Sequence, residues 1–136
     1  MIAKTVKYTD FDGNERTETF LFNLTKTELN NLNFRHHGTY GEQLKAIADS
    51  KDVKMITELF TEIVNRGYGV KSEDGRNFKK SPEILENFTS SAAYDALMME
   101  ILQSEEAAAN LFIGMLPSDM QDEVKKEIAK GKMNNG

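Results

Sequence analysis

The chain has 136 residues, 39% hydrophobic and 29% charged, with 17 Lys plus Arg against 22 Asp plus Glu and a formal charge of −5. That length fits one domain with one sizeable core, and the negative balance argues against affinity built by neutralising nucleic-acid phosphates over the whole surface. No apolar run reaches the roughly 18 to 20 residues of a membrane span, the start MIAKTVKYTD lacks a secretory apolar stretch, and the absence of cysteine leaves no disulfide, thiol nucleophile or thiolate metal site, so a soluble cytosolic protein is expected.

Ile2, Lys4, Val6 and Tyr8 alternate with Ala3, Thr5, Lys7 and Thr9, and after a turn at Asp12-Gly13 the alternation resumes with Arg16, Glu18, Phe20 and Phe22 on one face. An Asp-Gly turn between two such runs is a strong hairpin signal. An isolated hairpin is marginal in water, so Val6, Tyr8, Phe20 and Phe22 need helices or another chain's strand to cover them. Thr25-Lys-Thr-Glu28 reads as a capping box, which starts a helix at Lys26 that ends near Phe34. Thr39-Tyr-Gly-Glu42 repeats the cap and opens a short helix to about Asp49. Ser50 then caps a longer helix through Arg66, with Val53, Ile56, Phe60, Ile63 and Val64 on one stripe and Gly67 placed to end it.

Tyr68 to Phe78 has short arms around Asp74-Gly75 and reads as a second small hairpin near residues 68–79. Ser81-Pro82 is an N-cap followed by proline at the first helical position, where its missing amide costs little. Helices over Pro82 to Phe88, Ser91 to Leu102, Glu105 to Leu116 and Asp119 to Lys130 follow. The predicted fold is α+β and helix-dominant, with the N-terminal β-hairpin packed on a bundle of short helices. Residues 1–130 make one domain: hairpin 2–23, helices across 26–66, a hairpin or loop at 67–80 and a helical block at 81–130. Residues 131–136 form a disordered tail.

Charge divides the chain more sharply than its average suggests. Residues 1–80 are nearly balanced, while Ser81 to Val124 contains nine acids and no Lys or Arg, and the last twelve residues are lysine-rich. Carboxylates in the middle segment have no local cation, so they are solvated, pair with the amino-terminal part, or await a basic partner.

Motifs for chemistry fail on inspection. Asp10-Phe-Asp12-Gly-Asn14 resembles the opening of a calcium loop, but Glu15 and Leu21 stand where the loop needs glycine and a bidentate acid. His36 and His37 are adjacent, without cysteine or HExxH spacing, and read as a polar loop. There is no GxSxG and no phosphate-cradling glycine loop. Glu105 and Glu106 fit the first turn of a helix, where negative charge is favoured. No catalytic, cofactor or metal site is assigned.

Binding signals converge on the acidic block. On the helix from Ser91 the core stripe is Tyr94, Leu97, Met98, Ile101 and Leu102, with Met99 off it. On the next helix the stripe is Ala108, Leu111, Phe112, Met115 and Leu116, with Ile113 off it. An acidic surface bearing methionine, whose flexible thioether suits adaptable contacts, points to a protein partner with basic and apolar residues, against the plainer reading of a wide helical core. A competing nucleic-acid reading uses Arg76, Lys79 and Lys80 with Tyr68 and Phe78, opposed by Glu73 and Asp74.

Tyr8-Thr-Asp-Phe-Asp-Gly-Asn-Glu-Arg-Thr-Glu18, with Phe20-Leu-Phe-Asn-Leu-Thr-Lys-Thr-Glu-Leu29, resembles the opening of tail assembly chaperones from long-tailed, siphovirus-type phages and prophages of Gram-positive bacteria. The resemblance continues through Tyr68 to Phe78, Ser81-Pro-Glu83, Tyr94 and Ala107 to Pro117, and spans Ile2 to Met120. Arg35-His-His-Gly38 and the lysine-rich end depart from it. The resemblance implies a non-enzymatic, cofactor-free chaperone of the host cytoplasm that binds the tape measure protein, keeps it soluble and helps the tail tube polymerise around it without staying in the virion. It also implies a longer, frameshifted form that recruits tail tube protein. Within that frame Met99, Ile113, Met115 and Met120 are the expected partner contacts, and the hairpin edge is the expected route to self-association. The alternatives are a structural subunit of the virion and a small nucleic-acid-binding regulator.

Overall fold

The computed structural model describes residues 1–32, 53–122 and 125–126. His36, His37, the expected helix from Thr39, the cap at Ser50 and the tail lie outside them. The opening alternation forms strand β1 (Ile2–Thr9), which pairs antiparallel with β2 (Glu15–Phe22), residue for residue from Ile2 opposite Phe22 to Thr9 opposite Glu15. The turn is wider than an Asp-Gly pair. Gly13 N–H donates to the Asp10 carbonyl at 3.0 Å, Asp10 N–H donates to the Asn14 carbonyl at 2.9 Å, and Gly13 takes the left-handed conformation at φ 85°. This is a three-residue loop whose last position favours glycine.

Thr25 and Glu28 form the expected reciprocal cap, with the Thr25 hydroxyl accepting the Glu28 amide at 3.1 Å and the Glu28 carboxylate accepting the Thr25 amide at 3.0 Å. Helix α1 (Lys26–Leu32) follows. Helix α2 (Val53–Gly67) buries Ile63 and Val64 and half-buries Phe60. Gly67 is its last residue rather than a left-handed terminator. The reason for glycine there is space: a Cβ would stand 2.6 Å from the Met115 sulfur and 3.6 Å from the Phe22 Cβ.

From Gly67 the chain passes directly into β3 (Tyr68–Lys71), which pairs with β2, and then into β4 (Phe78–Lys79). The second hairpin is therefore real, and it completes one antiparallel sheet in the order β1-β2-β3-β4. Its turn repeats the first one's chemistry. Gly75 is left-handed at φ 77°, and the Asp74 carboxylate accepts the Ser72 hydroxyl and the Arg76 amide.

Three serines then punctuate three helices. Ser81 caps α3 (Pro82–Thr89), Ser91 caps α4 (Ala92–Gln103) and Ser104 caps α5 (Glu105–Met115), each hydroxyl accepting the amide three residues on. Residues 118–122 and 125–126 are also helical. The helices cover the sheet face that carries Val6, Phe20, Phe22 and Tyr68, while Ala3, Thr5, Lys7 and Thr9 face outward. Phe88 of α3 is the centre of this contact. Its ring stacks on Tyr68 at 4.2 Å and lies 5.0 to 5.8 Å from Phe20, Phe22 and Tyr94.

Candidate partner-binding face

The acidic block presents its charge for a local reason. Glu83, Asp95, Glu105 and Glu106 lie in the first turns of α3, α4 and α5, where the unpaired amides of a helix start favour carboxylates. Two other acids of the block reach cations from the amino-terminal half: Glu100 pairs with Lys4 and Asp119 with Lys26, both at 2.6 Å. The Lys26 ammonium holds the Asp119 carboxyl below the usual aspartate range. Glu83, Glu86, Asp95, Glu105, Glu106 and Asp122 are exposed and make no ion pair among the described residues.

Apolar groups stand among these acids. Met99 is 47% exposed and Leu102 is 40% exposed. Asp95, Met99 and Leu102 follow the i, i+4, i+7 spacing of one helix face. The core stripe of α4 is narrower than the sequence pattern predicts, comprising Ala93, Leu97, Met98 and Ile101. Leu102 falls on its border, one residue before the helix ends, where less than half of it stays open to solvent. The helical period alone puts Leu102 with the core, because a period marks the centre of a covered face and not its width.

The other expected contacts divide. Met115 is fully buried, packed against the position where Gly67 lacks a side chain, so it belongs to the core and cannot meet a partner on the folded surface. Ile113 and Met120 are half-buried against the core rather than fully on the wet face. Ile2 of β1 lies so close to Gly114 that a Cβ there would collide with it, which shows how the first strand closes over this end of α5. Between β1 and the start of α5 runs a groove of about 320 Å³ lined by Ile2, Lys4, Glu106, Ala107, Asn110 and Leu111.

The competing basic site does not assemble. The Lys80 ammonium donates to the Asn23 carbonyl at 2.7 Å, the Arg66 carbonyl at 2.6 Å and the Glu28 carboxylate at 2.6 Å. It fastens the starts of α1 and α3 to the end of α2 and is not free for a phosphate. Tyr68 is stacked on Phe88 in the aromatic cluster and one edge of the Phe78 ring lies over Gly69, so both rings are half-buried and already engaged within the fold. Only Arg76 and Lys79 of that set remain exposed.

The calcium-like opening at Asp10 is used by its own turn. The Asp10 carboxylate accepts the Asp12 and Asn14 amides at 2.9 Å and the Arg16 guanidinium at 2.6 Å, so its two oxygens organise the turn. Among the described residues no three His, Asp or Glu side chains converge to hold an ion, and no helix is long and apolar enough to cross a membrane.

Comparison with known proteins gives one further finding. Residues 1–135 match the model of a family described as phage tail assembly chaperone. No curated protein and no solved structure matches the chain.

Proposed function

The chain belongs to the phage tail assembly chaperone family, and from that premise we propose that it binds the tape measure protein of a long-tailed phage or prophage of a Gram-positive host. By covering apolar surface on that long chain it keeps the tape measure protein soluble and promotes tail tube polymerisation around it. It acts in the host cytoplasm, without catalysis, and is left out of the finished virion; a longer frameshifted form brings in tail tube protein. The single observation that carries this reading is the family match, which extends over both the sheet and the acidic block.

The physical support is the face on α4 and its neighbours. Met99 and Leu102 offer an adaptable apolar contact, Ile113 and Met120 flank the core beneath, and the unpaired acids select a segment with interleaved apolar and basic residues. A helical tape measure segment with apolar residues at i, i+3 and i+4 and Lys or Arg beside them meets both conditions. Co-expression with the tape measure protein is the test. Soluble tape measure protein should co-purify with the chain, and the double substitution Asp95→Lys with Met99→Asp should reduce recovery at least about tenfold, since a desolvated contact and a charge are both lost. Tape measure protein that stays insoluble and fails to co-purify with the unsubstituted chain would sink the proposal.

A further inference from the structure

The two edges of the sheet are built differently. β4 holds two residues, and a short edge is one way in which a sheet avoids adding another chain. β1 holds eight, without proline or bulge, and among the described residues no strand pairs with its outer side. Asp10 N–H bonds the Asn14 carbonyl, and hydrogen-bonded pairs alternate along an antiparallel ladder. Ile2, Lys4, Val6 and Tyr8 therefore commit their backbone groups to β2. The N–H and C=O groups of Ala3, Thr5, Lys7 and Thr9 point away from the sheet, and they have no hydrogen-bond partner among the described residues.

The groove between β1 and α5 adjoins this edge and is lined by Ile2 and Lys4 of the strand itself. A strand added to β1 turns alternate side chains toward the same face as Ile2 and Lys4. An edge with open backbone groups and a groove beside it is the geometry of strand addition.

We propose that β1 pairs antiparallel with β1 of a second copy, about a two-fold axis perpendicular to the sheet at Val6. The two four-stranded sheets then run on as one. In this register Thr5 stands opposite Lys7 of the second copy, Ala3 opposite Thr9, and Lys4 opposite Tyr8, so no like charges oppose one another. Tyr8 is the side chain that each copy delivers beside Lys4, at the mouth of the other's groove. A second copy is the fitting occupant because the added strand needs a free edge of similar length, and β1 is the only long one among the described strands. The contact is isologous and closes on itself, which limits it to a dimer. This inference does not depend on the chaperone reading, since it concerns the chain alone.

Sedimentation of the full chain over a range of concentrations tests it. The chain should dimerise, and Thr5→Pro should be monomeric with an unchanged circular dichroism spectrum, because that substitution removes an outward N–H and leaves the β1–β2 ladder intact. Hydrogen exchange supplies a readout that needs no variant: the amides of Ala3, Thr5, Lys7 and Thr9 should be protected in concentrated solution and should exchange at least about tenfold faster on dilution. A chain that stays monomeric at about 100 μM overturns the proposal. So does a dimer in which these four amides exchange freely, or one that persists in folded Thr5→Pro. Should Thr5→Pro fail to fold, protection of those amides in the unsubstituted chain decides the matter.

Discussion

Residues 1–80 and the acidic block treat their polar groups in opposite ways. In the first part Asp10 is held by Arg16, Glu28 by Lys80 and Glu62 by Arg66, and spare lysines reach across to Glu100 and Asp119. In the block, six acids among the described residues have no cation, and the helices are held by serine caps and apolar packing. Internal pairing fixes local geometry, whereas unused charge beside exposed Met99 and Leu102 remains available to another molecule. The difference separates an internally paired framework from a face whose charges stay unpaired among the described residues.

The contrast breaks most completely where the two parts share a core. Phe88 belongs to the acidic block, yet its ring meets Phe20, Phe22 and Tyr68 of the sheet. Phe88→Ala should cost about 4 kcal/mol, the usual scale for a buried phenylalanine and a large part of a typical domain's stability. Urea denaturation should show both parts losing structure in one transition. Sheet signals that survive after the helices melt would mean that the parts are separately stable.

Lys80 tests the framework side alone. Lys80→Met removes one cation from three acceptors and should cost about 2 kcal/mol, with the melting temperature falling by several degrees. Partial burial raises the Glu28 carboxyl, but the Lys80 ammonium and the Thr25 amide lower it further, and it ends below the ordinary value. A depressed carboxyl contributes stability that is present above its unfolded value and is lost as pH falls through the folded one. Acid denaturation should therefore be less steep in Lys80→Met below about pH 4.3, the ordinary glutamate value. An unchanged acid slope would show that the Thr25 amide alone holds Glu28 down.

Sequence signals located most of the framework because its determinants are local. Asp12-Gly13, Thr25 with Glu28, and Ser81-Pro82 each specify a turn or cap within a few residues, and each is present. What sequence could not supply was long-range. Gly67 read as a helix terminator because its true constraint, the sulfur of Met115, lies 48 positions away in a different helix. Lys80 read as part of a basic nucleic-acid site because its three acceptors come from separate segments. Phe88 read as a helix end, although it organises the aromatic cluster. On the candidate face, the period identified Met99 as exposed and Met115 as core but placed Leu102 inside, and the choice of Met115 as a contact followed its methionine chemistry against that period. A hydrophobic stripe gives the centre of a buried face, not its borders, and the border is where contact residues stand.

The two hairpin turns offer a finer comparison within the framework. Gly13 and Gly75 are both left-handed, and an added Cβ meets nothing within 4 Å at either. Alanine at each should then cost about 1 kcal/mol from backbone strain alone, equally in both turns. A larger loss at Gly75 would show that the short second hairpin depends more on its turn than the eight-residue first one does.

The smallest expected effect on folding is the one most informative about function. Met98 and Met99 are consecutive, yet Met98 is 8% exposed and Met99 is 47% exposed, because one helical step carries the side chain from the core face to the acidic one. Met98→Ala should cost about 2 to 3 kcal/mol through the cavity it leaves. Met99→Ala should shift stability by less than about 0.5 kcal/mol, since a half-exposed side chain gives up little packing. If Met99 serves only as an outlying part of the core, its substitution will track Met98 in the urea midpoint. If it serves a partner, the midpoint will stay in place while recovery of the tape measure protein falls, and that separation of folding from binding is what the division between framework and surface requires.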